Sequence, residues 1–81
     1  MNAWSLAIEQ SPHLYKRMGD RRFNELDLRG MLERAHDLRK NVVRGRWVVE
    51  TRFRRCPWEI IVEPDMRREV LVIVTAYAVW E

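Results

Sequence analysis

The sequence predicts an α+β fold: two N-terminal helices packed on one face of a small antiparallel sheet of three to four strands. Three observations predict it. Helix start and stop residues frame two short apolar-periodic segments in the first half. The second half alternates apolar and polar residues with a period of two. Turn sequences, Cys56-Pro57 and Pro64 to Arg68, separate the alternating runs. A chain of 81 residues allows one domain, residues 1–81, with a small core. Residues 1–10 read as an N-terminal arm or short element, 11–40 as a helical half and 44–80 as a β-meander.

Residues 3–10 fit two patterns. Trp4, Leu6 and Ile8 alternate as in a strand, but the alanines suit a helical turn, and a helical or irregular arm is expected. Ser11 followed by Pro12 is a helix start, a hydroxyl cap with proline in the first turn. This helix should run from about residue 12 to Gly19, a residue suited to a left-handed C-terminal cap. Leu14 and Met18 form its apolar side, and His13, Arg17 and Arg21 repeat every four residues on a neighbouring stripe. Asn24 caps a second helix, with Asp27 completing a capping box and Glu25 in the first turn. Phe23 could staple onto Leu28. Leu28, Met31, Leu32 and Ala35 supply the apolar stripe, and the helix should end near His36 to Arg39. Gly30 inside it costs about 1 kcal/mol against alanine, which suggests close packing there.

Three strands follow. Trp47, Val49, Phe53, Trp58, Ile60, Val62, Val70, Val72 and Val74 are expected to face the helices. Arg46, Glu50, Arg52, Arg54, Glu59, Glu63, Thr75 and Tyr77 would lie on the other face, with Val48, Ile61, Leu71 and Ile73 among them. Nothing in the chain remains to cover that mixed face, which suggests a partner or a substrate groove.

Net charge is only +3, but 13 of the 15 basic residues are arginine. Arginine grips phosphate through a planar fork and stacks on aromatic rings. With four tryptophans, the bias leans toward phosphate or nucleic-acid contact; codon usage and a solvated surface explain it equally well. The single cysteine, Cys56, permits no internal disulfide and argues for a reducing compartment. No signal peptide and no run long enough to cross a membrane is apparent, so a cytoplasmic protein without membrane contact is expected. No metal-ligand spacing, glycine-rich phosphate loop or nucleophile motif appears, and no cofactor is expected.

The segment from Arg44 to Arg55 is the densest basic signal, with five arginines, one acid and the rings of Trp47 and Phe53. Arg46, Arg52 and Arg54 would share a strand face and hold a phosphate backbone while bases stack. Cross-strand pairing with Glu59 and Glu63 is the ordinary alternative, and it carries more weight for Arg54. His13 is the better placed histidine for acid–base work, and Arg17 beside it could hold a scissile phosphate. A structural histidine bonded to nearby backbone is the ordinary alternative and the commoner one. His36 reads as a solvated helix-end residue. Thr75 and Tyr77 form a hydroxyl pair at the end of the last strand, where they could bond a phosphate or orient a ribose, or simply reflect strand preference. Glu50 could act as a base if its arginine neighbours keep it ionised, or serve as their ion-pair partner.

The run Ser11 to Leu32, then Gly45 to Arg52, Pro57 to Asp65 and Val70 to Tyr77, resembles a widespread prokaryotic family of small domains of unknown function. Its pattern is Ser-x-His, three residues, Arg-Met, an arginine, a second helix, and strands ending in Thr-x-Tyr. Related families are grouped with the RelE/ParE-like toxins. The resemblance implies a RelE-like fold and a metal-independent endoribonuclease of a toxin–antitoxin system. It implies attack of a ribose hydroxyl on the adjacent phosphate, with His13, Arg17 and Tyr77 as catalytic residues. Arg21, Arg46, Trp47, Arg52, Arg54 and Thr75 then contact RNA. The partners implied are RNA, including ribosome-associated RNA, and a cognate antitoxin. Two other readings remain: a non-catalytic interaction module, including a homodimer through Val48, Ile61, Leu71 and Ile73, and a ParE-like toxin directed at gyrase.

Overall fold

The computed structural model describes residues 7–21 and 23–79, without the side chains of residues 13, 15, 17, 20 and 21. Strand β1 (Ala7–Gln10) leads into helix α1 (Pro12–Arg21) and helix α2 (Glu25–Glu33). Strands β2 (Asp37–Lys40), β3 (Trp47–Phe53), β4 (Cys56–Asp65) and β5 (Val70–Ala78) follow. One sheet holds all five strands in the order β1-β5-β4-β3-β2. The β1–β5 pair is parallel and the other three pairs are antiparallel.

The expected fold, two N-terminal helices on a three-to-four-strand antiparallel sheet, is therefore corrected. The sheet is mixed, five-stranded and the dominant element. Two strands account for the difference. Residues 7–10 form a strand because β5 is apolar on both sides of its backbone and sits inside the sheet, where it needs a second neighbour. Arg68 fastens that edge, donating from both terminal nitrogens to the Glu9 carboxylate at 2.8 and 3.0 Å. Residues 37–40 form a strand because α2 stops early. The backbone leaves the helix at Arg34, and the His36 N–H donates to the Glu50 carbonyl at 3.0 Å, which opens the β2–β3 ladder. Near the helix end the Met31 carbonyl has no helical donor to meet, and the buried Thr51 hydroxyl donates to it. Ala35 lies past the helix yet still packs against the core.

The start of each helix follows the local chemistry. Asn24 Oδ1 accepts from the Asp27 N–H at 2.9 Å and Asp27 Oδ2 accepts from the Asn24 N–H at 3.0 Å, a complete capping box. Ser11 caps α1 and does more. Its Oγ accepts from the Leu14 N–H at 3.1 Å and donates to the Val74 carbonyl at 2.7 Å. Val74 lies at a bulge: Val62 pairs with Ile73 and Ile61 with Thr75, so one β5 residue is left over. The cap thus pins α1 onto the irregular point of β5.

That bulge also corrects the expected facing of β5. Leu71, Ile73 and Ala76 are fully buried toward the helices, whereas Val70, Val72 and Val74, expected there, are only partly buried. The core joins them to Leu14 and Met18 of α1, Leu28, Met31 and Leu32 of α2, and Val49, Ile60 and Val62. Phe23, Phe53 and Trp58 close one end of it edge to face, with centroids 5.4 to 6.3 Å apart. The heavy atoms nearest to a Cβ at Gly30 would be those of the Arg34 guanidinium, the first at 3.1 Å, so the close packing suggested by that glycine is against a side chain and not against another element's backbone.

Candidate functional site

The sheet face away from the helices is built around two opposed carboxylates. Glu50 and Glu59 are cross-strand partners, a like-charged pair that repels unless a cation stands between. Arg39 from β2 supplies it, donating to Glu50 Oε2 at 2.7 Å and to Glu59 Oε2 at 2.9 Å. Tyr77 Oη donates to the remaining Glu59 oxygen at 2.6 Å. The Tyr77 hydroxyl and then Arg39 hold the Glu59 carboxyl below the usual glutamate range, and its hydrogen bond to Glu59 pushes Tyr77 above the usual tyrosine range. Val48 and Ile61 lie on this face and are nevertheless buried, and Thr75 Oγ1 is buried with no hydrogen-bond partner among the described residues. The apolar patch expected here, Val48, Ile61, Leu71 and Ile73, is thus absent: two of the four belong to the core and two are covered by their neighbours.

The predicted site residues separate. His13, Arg17 and Arg21 carry side chains that lie outside the described residues. Their backbone belongs to α1, which packs through Leu14 and Met18 on the covered face, while Tyr77 pairs with Glu59 on the opposite one. Arg46 donates from Nε to Glu63 at 3.2 Å. Trp47 packs against the core from the covered face. Arg52 is exposed opposite Pro57. Arg54, expected on the strand face of Arg46 and Arg52, lies beyond the strand: Arg54 and Arg55 form the two-residue β3–β4 turn, with φ of 52° and 65°. Its guanidinium stacks on the Phe53 ring, 4.6 Å from the centroid. Two consecutive positive φ values define the hairpin turn that Asn-Gly ordinarily occupies, and this chain places two arginines in it.

At the other end of β3 the β2–β3 connection borders a half-open hollow of about 190 Å³ lined by Lys40, Asn41, Arg44, Gly45, Arg46 and Trp47. Local bonding shapes it. The Asn41 N–H donates to the Arg46 carbonyl, the Arg46 N–H to the Val43 carbonyl, and Asn41 Oδ1 accepts from the Val43 N–H at 2.8 Å. Gly45 turns the chain with φ of 86°. Lys40 Nζ stands 6.0 Å from the centroid of the Trp47 ring. The residues that sequence reasoning missed are Lys40, assigned near a helix end, and Asn41. The signal that could have found them is the Asn-x-x-x-Gly spacing just before the alternating run.

No protein-family model matches the chain, and no similarity to a curated protein or to a solved structure is detected. Among the described residues no group of three or more His, Cys, Asp or Glu is placed to hold a metal ion. Among them, too, no helix is long and apolar enough to cross a membrane.

Proposed function

We propose that this protein acts on RNA, as a cytoplasmic toxin-type endoribonuclease that needs no metal ion. The observation that supports it is the placing of cations at both ends of β3. Lys40, Arg44 and Arg46 stand at one end and Arg52, Arg54 and Arg55 at the other. Seven residues at about 3.3 Å each separate the two groups by roughly 20 Å, a span suited to several nucleotides of a single strand. The turn adds weight. Non-glycine residues in left-handed backbone cost roughly 1–2 kcal/mol each, so arginine at positions 54 and 55 trades stability for charge.

Cleavage by the ribose hydroxyl requires a base for its proton, an acid for the leaving oxygen and cations for the charge on phosphorus. His13 is the acid or base and Arg17 holds the scissile phosphate, as the motif resemblance implies. The β3 arginines hold flanking phosphates, and an acidic antitoxin would compete for the same cations. Purified protein incubated with single-stranded RNA in the presence of a chelator should yield fragments ending in 2′,3′-cyclic phosphate. His13→Ala should cut at least 100-fold more slowly while binding RNA as before. Intact RNA after prolonged incubation with the wild type would overturn cleavage.

One observation favours a second reading, RNA binding without cleavage. The Tyr77 hydroxyl is committed to Glu59, and the sheet stands between it and α1. Bound but uncut RNA in the same assay is its signature.

A further inference from the structure

We infer that the hollow at the β2–β3 connection is a nucleotide subsite. One phosphate of a single RNA strand sits between Lys40 and Arg44, and the attached base lies against Trp47. The identity of the ligand rests on the RNA reading above; the shape and charge of the hollow do not.

Three features carry the inference. The first is preformation. Backbone bonds and the Asn41 side chain close the loop on itself, so little ordering entropy is lost on binding. The second is charge. Lys40 and Arg44 bring positive charge to the hollow, while Arg46 lines it with its guanidinium turned to Glu63 on the uncovered face. Lys40 and Arg44 are both exposed, so a phosphate reaches them without displacing a buried partner. The third is the indole. Trp47 is half-buried and fixed by its packing on the core, so a stacking partner finds a rigid ring. The Lys40 ammonium lies over that ring. A phosphate draws the ammonium aside and leaves the ring to the base. At about 190 Å³ the hollow is smaller than the ~300–1,000 Å³ of a site that encloses a drug-sized ligand. It suits one unit of a longer strand rather than a free cofactor.

The test uses the full chain and three probes: adenosine 5′-monophosphate, inorganic phosphate and a single-stranded RNA decamer. The monophosphate should quench tryptophan fluorescence in the wild type and not in Trp47→Phe. It should bind roughly tenfold more weakly to Arg44→Ala, an exposed loop variant whose fold circular dichroism can confirm. Inorganic phosphate should bind at least fivefold more weakly than the monophosphate, since stacking contributes about 1–3 kcal/mol per base. Equal binding of the two would remove the base from the site. RNA affinity should fall in a Lys40→Ala, Arg44→Ala double variant, with the salt slope reduced by about two. Unchanged RNA affinity and salt slope there would overturn the subsite and leave the RNA reading standing. Monophosphate quenching in a protein that binds no RNA would keep the hollow as a nucleotide site and overturn the RNA reading.

Discussion

Glu59 accepts hydrogen bonds from Tyr77 and Arg39 at once, and its titration is therefore tied to folding. Its carboxyl is held below the ordinary glutamate value. The stability this contributes is complete above that ordinary value and is lost as the pH falls through the lowered one. Melting temperatures should show the wild type losing more on acidification through this range than Glu59→Gln, which should start lower at neutral pH. The Tyr77 phenol shifts the other way, so its contribution holds below the ordinary tyrosine value and fades as the pH climbs through the raised one. Ultraviolet titration should show Tyr77 ionising at lower pH in Glu59→Gln than in the wild type. Thr51 offers a second single-residue test. Thr51→Val should cost about 1–3 kcal/mol in denaturant unfolding, because the Met31 carbonyl loses its buried donor. The Glu59–Tyr77 contact follows from two alternating strands that the sequence displays. Arg39 could not be placed with them, because four charged and apolar residues after a helix read as its frayed end.

At the level of elements, β5 carries the sharpest lesson. Its run of branched residues is apolar on both faces, so periodicity alone cannot say which face meets the helices. The bulge decides it: one extra residue at Val74 moves Leu71 and Ile73 into the core while leaving Ala76 there. Leu71→Ala should cost about 2–5 kcal/mol, and Val72→Ala clearly less, by chemical denaturation. The bond from Ser11 to Val74 spans 63 positions, a relation no local pattern encodes. By contrast, the caps at Ser11 and Asn24 are short-range chemistry and were legible. Gly30 was legible as an oddity but not in its cause. The new methyl group would crowd the Arg34 guanidinium, which donates to the Arg52 carbonyl at 3.3 Å and lies on an exposed, flexible side chain, so Gly30→Ala should raise stability by less than the roughly 1 kcal/mol of helix propensity it gains.

Across the whole molecule, charge is sorted in a way the linear order conceals. The uncovered sheet face holds Arg39 bound to Glu50 and Glu59, and the ends of β3 hold the clustered cations, of which Arg46 alone reaches back to that face to meet Glu63. Arginine interleaved with aromatic rings was visible between residues 44 and 55, but whether each arginine met an acid depended on register. The two edge strands escaped notice for a related reason. Four-residue strands carry too few alternations to stand out, and they exist here because longer neighbours supply their hydrogen bonds. The central claim is that RNA meets the protein at the ends of β3. Amide chemical-shift mapping during titration with a single-stranded RNA decamer at low salt tests it most directly. The account predicts shifts concentrated at residues 40–47, including the Trp47 indole, and at residues 52–55. Shifts confined to the Arg39, Glu59 and Tyr77 face, or none at all, would contradict it.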